Sequence, residues 1–169
     1  MKKIFYTLTL ALLATLSFTS CSDDDDNKTP ETPTMAGTYS GKITLTIAGQ
    51  YNYDADIQIV ITENTDGSLN LTYPQYQLSE TMMGDLTLGS YTIKNIAWDE
   101  AKNAYYRNYS DDGLKQHFQS TQGMNNDYPL GNLSEITITK TNDGGIKIVN
   151  PFKLGAMPLP ISATFEGKK

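Results

Sequence analysis

Residues 38–62 read TYSGKITLTIAGQYNYDADIQIVIT, and the period along them is two. Ile43, Leu45 and Ile47 alternate with Lys42, Thr44 and Thr46. After a polar break, Ala55, Ile57, Ile59 and Ile61 alternate with Asp54, Asp56 and Gln58. Successive side chains of a strand point to opposite faces, so this is the pattern of two strands, each with one buried and one wet face. The same alternation recurs outward from that pair. Asn64-Thr65-Asp66-Gly67 supplies residues that tolerate the positive φ of a hairpin turn, and 68–73 follows with Leu69 and Leu71 inward. Pro74 interrupts, leaving 76–79 as a short edge piece. Residues 84–98 read as a strand, a kink at Gly89-Ser90 and a second strand. Residues 133–141, the turn Asn142-Asp143-Gly144-Gly145 and 146–150 make a hairpin, and 160–167 alternates again through Ile161, Ala163 and Phe165.

This amounts to seven to nine strands separated by Gly, Asn and Asp turns, the signature of an all-β sandwich or barrel. A single domain of 37–169 is the expected unit. Outside the first residues no stretch has a 3.6 period; 99–102 (DEAK) fits one helical turn, and 113–120 (GLKQHFQS) fits no period clearly. With Ile43, Leu45, Ile47, Ile57, Ile59, Ile61, Leu69, Leu71, Ile136, Ile138, Ile148, Ile161 and Phe165 all inward, their branched bulk suffices to fill a small barrel.

Upstream lies an address. Met1-Lys2-Lys3 is a short basic start, and 4–18 (IFYTLTLALLATLSF) is uncharged, apolar and too short for a comfortable membrane span. We therefore expect 1–20 to be a signal peptide. Thr19-Ser20 before Cys21 resembles a bacterial lipobox, with Phe18 where Leu is usual, and implies lipidation of Cys21. An ordinary cleaved signal with an incidental cysteine is the alternative. The acidic run Asp23-Asp24-Asp25-Asp26 resembles the export signal of surface lipoproteins in some Gram-negative bacteria. Residues 21–36, containing Pro30 and Pro33, read as a lipid-anchored acidic linker. The implied location is the bacterial outer membrane, facing the exterior, with the membrane reached through the lipid anchor.

Charge and rare residues exclude several functions. The chain of 169 residues carries 13 Lys+Arg against 19 Asp+Glu, a net charge of −6. Starting at Cys21 loses Lys2 and Lys3 and leaves 11 against 19, hence −8. That balance argues against a nucleic-acid partner. One Cys and one His exclude a disulfide framework and any zinc site built on four such ligands. His117 stands without a nucleophile or acid at motif spacing, no Gly-x-Ser-x-Gly occurs, and no phosphate loop is present. Asp54 and Asp56 share a strand face that solubility explains. Residues 108–113 (NYSDDG) lack the spacing and closing Glu of an EF-hand. We expect no enzyme, no cofactor and no metal.

The order of the pieces then becomes informative. The domain opens on Gly37-Thr38-Tyr39-Ser40-Gly41, passes a hairpin at Asp66-Gly67 and a mid-domain Gly84-Asp85-Leu86, and closes on Ala163-Thr164-Phe165-Glu166-Gly167. Behind an acidic lipoprotein leader this resembles the calycin-like β-barrel domain of bacterial surface lipoproteins, related in shape to lipocalins. The resemblance covers 36–169 and implies an antiparallel up-and-down barrel of about eight strands. Lipocalins proper carry Gly-x-Trp near the first strand; here Tyr39 stands in that place and the one Trp is Trp98. Their ligand-binding residues are therefore not carried over.

Aromatics mark the candidate site. Trp98, Tyr105, Tyr106 and Tyr109 gather in the polar stretch 98–129, which reads as one long irregular connection, and rings with polar tips suit interfaces and mixed ligands. Rings that merely cap a barrel end are the alternative. The expected function is binding of a small apolar or mixed ligand at the barrel mouth. The alternative is a packed structural module whose tyrosine-rich loop meets a protein or glycan. Ligand identity and oligomeric state are not written in the sequence.

Overall fold

The computed structural model describes residues 34–131, 133–156 and 159–169. The expected signal peptide at 1–20, Cys21 and the acidic run lie outside them. The chain forms β1 (Gly37–Ile47), β2 (Tyr51–Glu63), β3 (Leu69–Tyr73), β4 (Tyr76–Thr81), β5 (Gly84–Leu88) and β6 (Tyr91–Asp99). It continues through β7 (Ala104–Asn108), β8 (Lys115–Ser120), β9 (Asn125–Pro129), β10 (Glu135–Lys140), β11 (Ile146–Phe152) and β12 (Ile161–Lys168).

Eight strands close a barrel in the order β1-β12-β11-β10-β7-β6-β3-β2, every pair antiparallel. Each barrel strand pairs with the next in the chain once two excursions are set aside, so the topology is up-and-down. Closure removes the edges that an open sheet would leave for aggregation. The apolar residues that alternation places inward, from Ile43 to Phe165, are buried in one continuous cluster, with Ala55 half-buried against it. At positions of opposite parity Asp54 meets Lys42 and Thr44 on the wet face.

The two excursions depart from the expected plan. Residues 98–129 are not one irregular connection: they hold the end of β6, then β7, β8 and β9. The two hairpins β4–β5 and β8–β9 leave the barrel from the same end and join through β5–β8 into a second sheet, ordered β4-β5-β8-β9. The expected edge piece at 76–79 is the edge strand of this sheet. Strand pairing in the stretch is hard to read because β9 (NNDYP) is almost wholly wet and β8 buries only Gln116 and Phe118. Residues 99–102 are not a helix: Asp99 ends β6 and the turn after it is closed by Asn103 N–H donating to the Glu100 carbonyl and Lys102 N–H to Asp99 Oδ1.

Two further devices fix the barrel's shape. Asn95, at φ 54°, makes a bulge where the register of β3 with β6 slips between Leu71↔Ile93 and Leu69↔Ile96. Lys94 lies in that bulge, and the Arg107 guanidinium donates to its carbonyl and to Asp112. At the barrel end with short turns, 34–36 lie across the opening. Tyr39 donates its hydroxyl to the Met35 carbonyl at 2.9 Å, Lys169 donates to the Thr34 carbonyl at 3.1 Å, and Met35 is buried.

Candidate functional site

The excursion sheet lies over the other barrel end and turns one face toward it. Alternation within its strands puts Tyr76 and Leu78 of β4, Leu86 and Leu88 of β5, and Gln116 and Phe118 of β8 on that face, all of them buried. The sheet is stitched down on both flanks. Met82 N–H donates to the Tyr53 hydroxyl of β2 at 3.2 Å, and Gly131 N–H donates to the Lys153 carbonyl at 3.1 Å beside the Leu130↔Leu154 bridge. Its two hairpin tips are clamped to each other: Thr121 N–H donates to the Asp85 carbonyl and Asp85 N–H to Thr121 Oγ1, both at 3.0 Å.

Between sheet and barrel lies a partly open cavity of about 150 Å³. Leu45, Ile47 and Ile161 come from the barrel rim, and Phe118, Tyr128 and Leu154 close the sides. Met82 and Met83 reach it from the β4–β5 turn and Met124 from the β8–β9 turn. No polar atom faces it. An apolar space of this size takes a molecule such as benzene. It is below the roughly 300–1,000 Å³ of pockets that enclose a whole drug-sized ligand. Chemically it can hold one apolar group and can polarise nothing.

Just inside the barrel from this cavity sits a buried polar cluster. Asn150 pairs across strands with Ala163, which pairs with Leu45 of the cavity wall. Tyr91 donates to Asn150 Oδ1 at 2.9 Å, while Asn150 Nδ2 donates to the Tyr109 hydroxyl at 2.6 Å and to the Glu135 carbonyl at 2.8 Å. Tyr73 stacks on Tyr91 with ring centroids 4.9 Å apart. Burial pushes the hydroxyls of Tyr73, Tyr76 and Tyr91 up from the ordinary 10.0, and it pushes Tyr109 up to about 12 against the opposing pull of its Asn150 and Ser134 hydrogen bonds. The Tyr73 hydroxyl and Gln116 Oε1 are buried without a protein partner among the described residues.

The four aromatics singled out from the sequence separate in space. Trp98 and Tyr105 are cross-strand neighbours on β6 and β7 at the short-turn end, in a T-shaped pair 5.3 Å apart. Trp98 is 51% exposed, and the two line a groove of about 500 Å³ with Met35, Asn103 and Thr139. Tyr106 points to the outer wall, bonded to Glu135 with the Lys102 ammonium 4.4 Å above its ring. Tyr109 lies in the buried cluster toward the opposite end of the barrel. His117 pairs with Asp127 at 2.8 Å on the exposed face of the second sheet. Among the described residues no group of three or more His, Cys, Asp or Glu is placed to hold a metal.

Sequence reasoning missed the methionines. Their signal was present in Met82-Met83-Gly84 and Gly123-Met124-Asn125, apolar residues at hairpin tips where polar ones are usual.

The crystal structure of a "putative outer membrane protein" from Bacteroides fragilis is similar to this chain, with a TM-score of 0.50 and 23% identity. The match covers 80% of this chain and 51% of that one, so the chain spans about half the length of its structural neighbour. Among curated proteins none matches. The family model of the calycin-like β-barrel domain matches residues 35–168, the whole span from the strap across the short-turn end to the last residues of β12. A closed up-and-down barrel of eight strands with that match makes the chain a member of the calycin-like β-barrel domain family.

Proposed function

We propose that the protein is a non-enzymatic binding module, tethered to the outer membrane through Cys21, which holds a small apolar group at the barrel mouth beneath the second sheet. One observation carries the reading: a cavity with no polar lining, roofed by a sheet that the chain makes by leaving the barrel twice at the same end. An all-apolar wall supplies hydrophobic transfer and dispersion, and it offers no acid, base or nucleophile. The name of the neighbour from Bacteroides fragilis supports an envelope location.

The test uses methionine methyl groups as reporters. In protein labelled with ¹³C at the methionine methyls, benzene should shift Met82, Met83 and Met124 and leave Met35, at the far end, unmoved. Methyl resonances that stay in place up to saturating benzene would remove the reading.

A second reading belongs to Trp98 and Tyr105. A half-exposed indole beside a tyrosine edge, with Asn103 and Thr139 in the same groove, favours contact with a glycan face. Glycans that bind there should change Trp98 fluorescence, and Tyr105→Ala should abolish the change; a panel with no response would dismiss it.

A further inference from the structure

We propose that the mouth cavity is an adaptable site for one linear, unbranched alkyl or acyl chain of an amphiphile free in solution, lengthening as its methionine cover gives way. The proposal deepens the reading of the cavity as a ligand site and rests on it. Its basis is an asymmetry between floor and roof.

The floor is fixed. Leu45, Ile47 and Ile161 are branched and buried, and each is held in two ladders of a closed barrel: Ile47 pairs with both Tyr51 and Ile161, and Leu45 with both Tyr53 and Ala163. Moving any of them moves the sheet. The roof combines Leu86 and Phe118, fixed on the buried face of the second sheet, with a methionine cover at the hairpin tips. Met82 and Met83 occupy the two-residue turn between β4 and β5, and Met124 ends the turn between β8 and β9. All three are unbranched side chains with three rotatable bonds, which fill irregular gaps and repack at low cost. Met82 is 47% exposed, so packing does not pin its outer side.

The tips themselves are tied more firmly to each other, through Asp85 and Thr121, than to the barrel, where Met82 N–H meets the Tyr53 hydroxyl at 3.2 Å. At these tips the methionine side chains can change rotamer while the buried strands behind them and the floor stay in place.

Shape and chemistry then choose the ligand. The resting volume of about 150 Å³ fits one ring or a short chain, and no polar atom faces it. A head group has nothing to bond there and stays outside. Met82 and Leu159, at 47% and 39% exposure, continue the apolar surface past the cavity. A rigid planar ligand larger than one ring would collide with the fixed floor, whereas an added methylene needs only another methionine rotamer.

The experiment is a chain-length series of n-alkanols from four to ten carbons, titrated into the full domain with the three methionine methyls and calorimetry as readouts. Each newly buried methylene should tighten binding about fourfold, and the gain should continue beyond about six carbons, the size that an apolar cavity of this volume holds as benzene. A plateau or cut-off near six carbons would overturn adaptability and leave the cavity a rigid site. If no alkanol of any length moves the methyls, the underlying reading of the cavity falls instead. Replacing the cover, by Met82→Ile with Met124→Ile, should impose the early plateau on a protein of unchanged melting temperature. If that variant does not fold, the wild-type series still decides. Cosedimentation of the protein with phosphatidylcholine vesicles, reversed by decanol, would overturn the assignment to a free amphiphile.

Discussion

Asn150 has no exposed surface, yet it is a primary amide inside a barrel of isoleucines. It is tolerated because its oxygen takes the Tyr91 proton and its nitrogen reaches the Tyr109 hydroxyl and the Glu135 carbonyl. The same burial makes the tyrosines pH-sensitive. Tyr109 is pushed up to about 12 from 10.0, so folding favours its neutral form. That stability is full below pH about 10, and it is lost as pH rises toward about 12. The urea midpoint should therefore fall over this window, with the 295 nm tyrosinate signal of the buried rings rising only as the domain unfolds. Smooth titration of all tyrosines near pH 10 with no loss of stability would contradict the burial. Parity alone located the inward isoleucines, because a period of two leaves each residue one face to choose. Asn150 and Tyr109 were not legible in that way: a polar residue beside Pro151 reads as a strand end, and only the fold brings positions 91, 109 and 150 together.

At the level of elements, the barrel hairpins β2–β3 and β10–β11 were readable because each joins two alternating runs through an Asp-Gly turn, whereas β6–β7, joined through Glu100-Ala101-Lys102-Asn103, carries no such signal. The second sheet was not readable. Its strands take their partners from a hairpin some thirty residues away, and β9 has no inward apolar series to betray it. Two glycines separate the roles of the turns. Gly67, at φ 80°, has open space where a Cβ would go; Gly84, at φ 76°, would place that Cβ 2.2 Å from Thr121 Oγ1. Gly67→Ala should cost about 1–2 kcal/mol of backbone strain. Gly84→Ala should cost about 1–3 kcal/mol more by displacing the hydroxyl that accepts from Asp85. Urea denaturation reads the difference, and hydrogen exchange at the Asp85 amide should quicken in the second variant only. Equal losses would mean that the clamp between the tips contributes nothing.

Over the whole molecule, β1 and β12 close the ring, while the strap at 34–36 and Lys169 meet at the end opposite the cavity. The closed barrel was legible as a count of strands and turns, and its family resemblance as the order of short motifs. The cavity was not, since its wall draws on five separate stretches of chain. The proposed tether makes its own prediction. Cys21→Ser should leave unprocessed precursor and abolish incorporation of labelled palmitate; normal labelling in that variant would defeat lipidation at Cys21.

The opposite placement of strap and cavity has a mechanical consequence. Tension between a membrane anchor upstream of Thr34 and a molecule gripped at the mouth would run along β1, whose first residues adjoin the strap and whose last residues form the floor. β1 is paired at 11 positions with β2 and at 8 with β12. A pull along its axis loads these rungs side by side, in shear, whereas a pull across the strand would peel them one after another. Under the proposed tether and ligand, β1 would bear drag as a whole, and the methionine cover would yield a bound molecule before the barrel lost a strand.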